Sequence, residues 1–205
     1  MVKYSIAVAA LSLGLVASMP ASGAVMGFSG AWAPATWTTA FVGDVNPPGP
    51  TNNGSVNTAG APSTIVITGG DDPGGIIGCV GGGLIGCEIQ WNHAAIGRFI
   101  SFNWSYTTTD SCGPQCDEFG VLLNGTETFL SDPGSGQSNQ SGTFSTGSAS
   151  LSSFGFFVST IDGIGGPAVV TITNFQVPEP GSVALLGLGL AALALRRRVG
   201  NRGIV

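Results

Sequence analysis

Ile100-Ser101-Phe102-Asn103-Trp104-Ser105-Tyr106 is the stretch of this 205-residue chain that decides its fold. Large apolar residues alternate there with small polar ones, and this period of two is typical of a strand with one buried face. We interpret the stretch as a core strand. An exposed aromatic row that stacks on carbohydrate is the alternative interpretation.

Other strand signals lie on both sides of this stretch. Ser63–Thr68 is a β-branched run, and Asn124-Gly125 is a favoured two-residue turn between the strands Phe119–Leu123 and Thr126–Leu130. Further strands are predicted at residues 37–42, 142–146, 154–161 and 168–175, whereas residues 46–61 and 132–141 are predicted to be polar loops. The pattern predicts an all-β, antiparallel β-sandwich of jelly-roll type.

The first 24 residues have the organisation of a secretory signal peptide. Lys3 supplies the positive start, Ile6–Val16 is the apolar part, and Ser22-Gly23-Ala24 supplies small residues for cleavage before Val25. We therefore expect an N-terminal signal-peptide helix and export by the Sec machinery.

The C-terminal segment combines Val177-Pro178-Glu179-Pro180, an apolar run from Gly181 to Leu195, and Arg196-Arg197-Arg198. A helix of that run covers roughly 22 Å, which is short against the ~30 Å of a bilayer core. The arginines lie on one side only, so they orient the C-terminus to the cytoplasm. A short transmembrane helix is predicted, and a buried helix and a lasting membrane anchor are its alternatives.

This arrangement closely resembles the PEP-CTERM tails of Gram-negative bacteria. The resemblance implies that an inner-membrane exosortase recognises Val177, Pro178, Glu179 and Pro180, with Arg196, Arg197 and Arg198 as the basic stop, and removes the tail near the Pro-Glu-Pro. It also implies an inner-membrane intermediate facing the periplasm, followed by delivery to the cell surface or extracellular matrix and association with exopolysaccharide. Domain boundaries follow: signal peptide 1–24, exported domain 25–176 and sorting segment 177–205.

Charge is distributed unevenly along the chain. Between Val25 and Val177 there are ten acidic residues and one basic residue, Arg98, which gives a formal net charge of 1 − 10 = −9. Nucleic acid is excluded as an electrostatic partner, because phosphate binding needs a basic surface.

The four cysteines are Cys79, Cys87, Cys112 and Cys116. Export implies an oxidising compartment, so two disulfides are predicted, and the local pairs Cys79–Cys87 and Cys112–Cys116 are favoured. A four-thiolate zinc site and free thiols are the alternatives. The glycine repeat before Cys79 and Cys87 is interpreted as a loop. A phosphate-binding loop is not supported, because no Lys-Ser/Thr pair follows.

No catalytic constellation is evident in the sequence. His93 is the single histidine and is interpreted as a surface loop residue, and no nucleophile-elbow motif is present. Asp117 and Glu118 are adjacent, so on a strand they face opposite sides and make a poor acid–base pair. The protein is therefore predicted not to be an enzyme.

Residues Phe102–Asp110 and Asp117–Gly125 resemble the jelly-roll or CUB-like β-domains of exported proteins with such tails. In CUB-like domains, acidic loop residues hold calcium. In this chain Asp110, Asp117 and Glu118 flank the Cys112–Cys116 loop and Asp162 lies in a late turn, so these four are the candidate calcium ligands if the fold brings the loops together. Solvated loop carboxylates are the alternative, and no other cofactor is expected.

Together these features predict a non-enzymatic envelope or matrix protein that an exosortase sorts and processes. The alternative is a carbohydrate- or calcium-binding module that an uncleaved C-terminal anchor holds in the inner membrane.

Overall fold

The computed structural model describes residues 24–42, 53–71, 87–95, 99–147, 151–161 and 165–178, together with residue 189. These residues form mostly β-structure. The strands, in chain order, are β1 (Ala24–Met26), β2 (Thr38–Val42), β3 (Ser55–Asn57), β4 (Thr64–Thr68), β5 (Cys87–His93), β6 (Ser101–Thr107), β7 (Asp117–Leu123), β8 (Thr126–Phe129), β9 (Asn139–Ser145), β10 (Phe154–Thr160) and β11 (Val169–Pro178). Short 3-10 helices occupy Gly30–Trp32, Pro34–Thr36, Gly113–Gln115 and Pro133–Ser135.

The strands form two antiparallel sheets. Sheet A has the order β3-β4-β11-β6-β9, with β1 paired to the end of β11, and sheet B has the order β2-β5-β10-β7-β8. The inner faces meet in one apolar core: Phe102 of sheet A lies 5.1 Å from Phe156 of sheet B, and Trp104 lies 5.5 Å from Phe119, between ring centroids. The prediction of two packed antiparallel sheets, a β-sandwich, is thus confirmed.

The alternating stretch in β6 is a core strand. Phe102, Trp104 and Tyr106 are buried, while Ser105 is exposed. The alternative of an exposed aromatic row is wrong for these residues, because all three rings face sheet B. The predicted hairpin is also present, since Asn124 and Gly125 both have positive φ, at 53° and 79°, as a type I′ turn requires.

Three sequence interpretations need correction. Residues 55–57 of a predicted loop form β3, and residues 139–141 of another begin β9. His93 is the last residue of β5 and does not lie in a surface loop; its imidazole stacks on Trp32 at 4.1 Å and its Nε2 lies 2.9 Å from the Ala31 carbonyl oxygen.

The two predicted terminal helices, 1–24 and 181–195, lie outside the described residues. Within the described ranges, no helix has the length and apolar character that crossing a membrane requires.

Candidate functional site

The beginning of the sorting segment is part of the sandwich. β11 continues across residue 176 to Pro178, where Gln176, Val177 and Pro178 pair with Met26, Val25 and Ala24 of β1. Gln176 also pairs with Ser101 of β6, and Val177 is buried in the core. Glu179, Pro180 and Arg196 to Arg198 lie outside the described residues.

A groove of about 540 Å³ lies beside the connection between β8 and β9; we call it the edge groove. Its lining is polar and contains a single ionisable group, the carboxylate of Asp132. The Trp104 indole packs closely over Gly142 of β9, because a Cβ at that position would lie 2.9 Å from the indole Cζ2. The complete lining comprises Trp104, Leu130, Asp132, Ser135, Gln137, Asn139, Gln140 and Ser141.

Gln140 fixes the shape of the edge groove. Its Nε2 donates to the Asp132 carbonyl at 3.0 Å, to Ser135 Oγ at 2.8 Å and to the Gln137 carbonyl at 3.2 Å. Its Oε1 accepts the Asp132 N–H at 2.8 Å. Because Gln140 is engaged in holding the loop, the exposed amides of Gln137 and Asn139 are the side chains best placed to meet a ligand.

The outer face of sheet A is uncharged. The residues of β6 and β9 on this face pair across the strands as Ser101–Ser145, Asn103–Thr143, Ser105–Ser141 and Thr107–Asn139. A second groove of about 590 Å³ lies on this face at the end near β1. It is next to the bulge in β11, where Asn174 has φ of 51°. Its lining comprises Ser101, Phe102, Asn103, Thr143, Phe144, Ser145, Asn174 and Gln176. Hydroxyls and amides both donate and accept hydrogen bonds, which is the chemistry of a neutral polar ligand.

Two of the four predicted calcium ligands lie together. Asp110 and Asp117 are both buried, and Thr108 joins them: its hydroxyl donates to Asp117 Oδ2 and accepts the Asp110 N–H at 3.0 Å. Asp110 Oδ1 also accepts the Cys112 N–H at 2.9 Å. These bonds give both carboxylates a structural role in the loop between β6 and β7.

The turn before β11 packs against this loop. Thr109 Oγ1 donates to the Gly165 carbonyl at 3.0 Å, and a Cβ on Gly165 would lie 2.8 Å from the Asp110 carboxyl carbon. The segment before β11 thus contacts the Asp110 loop at Gly165, whereas Asp162 itself lies outside the described residues.

Glu118 is on the opposite face from Asp117. It shares the outer face of sheet B with Glu88, because both residues pair with Ser159 of β10. Burial, partly offset by a hydrogen bond from Gln90, raises the pKa of Glu88 to about 6. Burial, followed by the nearby charge of Glu127, also raises the pKa of Glu118.

Cys112 and Cys116 form a disulfide across the short 3-10 helix between them. Cys87 is also disulfide-bonded, and Cys79 lies outside the described residues. Among the residues that the structure describes, Asp110, Cys112 and Cys116 each have a potential metal-ligand atom within 4.8 Å of the other two. The two sulfurs are bonded to each other, so they are not thiolates and do not fit a metal.

Two oxygens of Asp110 and Asp117 are already engaged, whereas calcium takes six to eight oxygen ligands. The calcium assignment therefore stays a prediction.

The edge groove was not predicted from the sequence. The available signal was the uncharged alternation of residues 139–145 after a polar loop.

Comparison with known proteins supports the interpretation of the tail. Residues 176–198 match the model of the PEP-CTERM protein-sorting motif, which indicates exosortase-dependent sorting through the C-terminus. No curated protein matches the chain.

Three solved structures are distantly similar to the chain. The K2 cleaved adhesin domain of Lys-gingipain is 11% identical with a TM-score of 0.39, over 77% of this chain and 98% of that one. The K1 cleaved adhesin domain of Lys-gingipain from Porphyromonas gingivalis W83 is 12% identical with a TM-score of 0.37, over 72% and 93%. A structure described as a CBM4 is 14% identical with a TM-score of 0.31, over 71% and 88%. Such scores carry no functional information, so the family-level evidence for this chain is its sorting motif.

Proposed function

We propose that this chain is an exported, non-enzymatic protein of the cell envelope or extracellular matrix, which an exosortase sorts and processes at its C-terminus. The observation that carries the proposal is the match of residues 176–198 to the sorting motif. The Sec machinery delivers the body across the inner membrane, and the tail holds it there until cleavage near Pro178-Glu179-Pro180.

The charge distribution supports this route. Four of the six basic residues follow the apolar run of the tail. Cleavage upstream of them leaves a body with a formal charge of −9, or 1 − 11 = −10 when the product keeps Glu179. Such a body stays soluble outside the cell and avoids anionic polymers through repulsion. Association with exopolysaccharide therefore favours uncharged glycans over acidic ones.

Cell fractionation combined with intact-mass analysis tests the proposal. We expect a mature product that begins near Val25 and ends near Pro180, found in the outer fractions or the medium. Alanine replacement of Pro178, Glu179 and Pro180 together should leave a tail-bearing form in the inner membrane. A wild-type product that retains Arg198 would show a lasting anchor and contradict processing.

Carbohydrate binding is the second candidate function, and the edge groove is the observation that favours it. The groove offers Trp104, two exposed amides and two serine hydroxyls around one carboxylate. Aromatic contact combined with hydrogen-bonding side chains suits a neutral polyhydroxylated ligand.

Affinity electrophoresis in gels that contain neutral polysaccharides tests this function. The exchanges Gln137→Ala and Asn139→Ala should each weaken retardation several-fold, because each removes one exposed amide without opening the core. Thr126→Ala, on exposed β8, is the matched control and should leave retardation unchanged. Equal retardation of all variants would exclude the groove as the binding site.

A further inference from the structure

The three-residue strand β1 occupies a special place in this chain. It starts at Ala24, the last residue of the predicted signal peptide, and it pairs with Gln176, Val177 and Pro178, the first residues of the matched sorting motif. The pairing is antiparallel, so the chain enters the domain at Ala24 directly beside the point where it leaves at Pro178. The two predicted membrane segments therefore connect to the body at one place.

The hydrogen bonds of this ladder follow from its register. Gly27 N donates to the Phe175 carbonyl at 2.7 Å, which puts Gly27 and Phe175 in the register of a hydrogen-bonded position and supplies one of its two bonds. Antiparallel ladders alternate, so Val25 and Val177 form the next hydrogen-bonded pair, and Ala24 and Pro178 form a pair without ladder bonds. Pro178 lacks an N–H, and it falls where the ladder needs none. Val177 is thus the last residue of β11 whose N–H bonds to β1.

β1 is anchored firmly at its C-terminal end. Gly27 has φ of 74°, and a Cβ there would collide with the Pro62 carbonyl oxygen, so only glycine suits this position. Phe28 N donates to the same oxygen at 2.8 Å, and the Phe28 ring stacks on Phe175 at 4.5 Å. The anchor holds β1 against the beginning of the sorting motif.

This pairing limits what a processing enzyme can reach. Enzymes that bind extended peptides use the backbone groups of the peptide to form a strand with it. Between β6 and β1, the backbone groups of Gln176 and Val177 are already committed to neighbouring strands. Pro178 is the last residue for which the structure describes pairing with β1.

We propose that β1, of which Val25 and Met26 remain after the predicted removal of the signal peptide, is a terminal clasp that excludes Gln176 and Val177 from the exosortase, so that cleavage leaves a C-terminus at or beyond Pro178. The clasp stays closed during processing, because the enzyme acts on residues beyond it. This inference rests on the proposed function, since it concerns the same processing event, in which one peptide bond after Pro178 is broken by water or by another acceptor nucleophile.

A locked clasp and an opened clasp test the inference in cells. The double exchange Met26→Cys and Gln176→Cys places two cysteines directly opposite each other at a non-hydrogen-bonded pair, where a disulfide fits. We expect the locked protein to be processed like wild type, with a C-terminus at or beyond Pro178. Retention of the tail by the locked form but not by the single exchange Gln176→Cys would overturn the proposal, since the clasp would then have to open.

The exchange Gly27→Ala opens the clasp by removing the turn that anchors it. Intact masses should then show additional C-termini at or before Val177, because those bonds become accessible. Such upstream ends in wild type would overturn the proposal.

If the wild-type protein retains its tail, the proposed processing is refuted but the clasp is not. Hydrogen exchange then tests the clasp separately. The Val177 amide should then exchange at least tenfold faster in Gly27→Ala than in wild type, while core amides of β10 stay unchanged. Equal exchange of Val177 in the two proteins would show that no clasp exists.

Discussion

Phe175 connects the last strand to the core, and its truncation should be the most damaging single change in this region. The side chain is fully buried, stacks on Phe28 and lies 5.5 Å from Trp32 and 6.1 Å from Trp37 between ring centroids. Truncation of a buried phenylalanine to alanine costs about 3–5 kcal/mol, since transfer free energy is lost and a cavity remains. Domains of this size have stabilities of about 5–15 kcal/mol, so Phe175→Ala removes a large share.

Phe129→Ala is the matched control. Phe129 is 50% exposed and makes an edge contact with Phe157 at 5.5 Å. The expected loss is about 0.5–1.5 kcal/mol, the value of an aromatic pair with little burial.

Equilibrium unfolding in urea gives the free energy of unfolding of both variants, and thermal unfolding followed by tryptophan fluorescence gives their Tm. For a domain of ~150 residues, 1 kcal/mol corresponds to about 2–4 °C in Tm, so Phe175→Ala should lower Tm by roughly 6–20 °C. A loss for Phe175→Ala that does not exceed the loss for Phe129→Ala would refute the view that this aromatic cluster dominates the core.

Three further predictions concern sheet B and the loop between β6 and β7. Gly120→Ala should destabilise by about 1–3 kcal/mol in urea unfolding, because its Cβ would collide with the Thr128 carbonyl oxygen and lie 2.6 Å from the Phe157 ring. Since the closer contact is with backbone, Phe157→Leu should not restore the stability of the Gly120→Ala protein. Burial raises the Glu88 pKa from 4.5 to about 6, so its ionisation opposes folding, and stability should fall as pH rises from 4.5 to 6. Glu88→Gln should remove that dependence and add at most about 2 kcal/mol above pH 6; an unchanged pH profile of unfolding would contradict the assignment. The calcium assignment predicts that added calcium raises Tm and that Asp110→Asn abolishes this rise. A calorimetric titration of the protein with calcium that gives no heat of binding would contradict the assignment.

Much of the fold could be predicted because long strands have their own signal. β6 alternates strictly, and its inward residues are the buried ones. The hairpin was predicted from Asn124-Gly125 because few other residue pairs adopt positive φ twice in succession.

The short and irregular elements could not be predicted in the same way. β1 and β3 have three residues each, which is too few to show a period, and they exist because β11 and β4 offer them partners. Val177 and Pro178 were assigned to the sorting segment, and the sequence did not show that they also end β11, where the register places Pro178 at a position that requires no N–H.

The candidate sites depended even more on tertiary structure. A histidine between Asn92 and Ala94 gives no sign that it will stack on Trp32, which is distant in the chain. Nor does the sequence show that Thr108 links Asp110 and Asp117 below the surface, because this link requires the loop to fold back on itself.

The position of β11 also determines how the body responds to a mechanical load. A pull applied through the tail acts on a strand in the middle of sheet A, which pairs over five consecutive residues with β4 on one side and with β6 on the other. If the opposing force enters through the edge groove at β9, the β6–β11 hydrogen bonds are sheared together. A pull between the two chain ends instead opens the short β1 ladder one bond at a time. The same domain is thus strong against a load from a bound surface and weak against separation of its own termini.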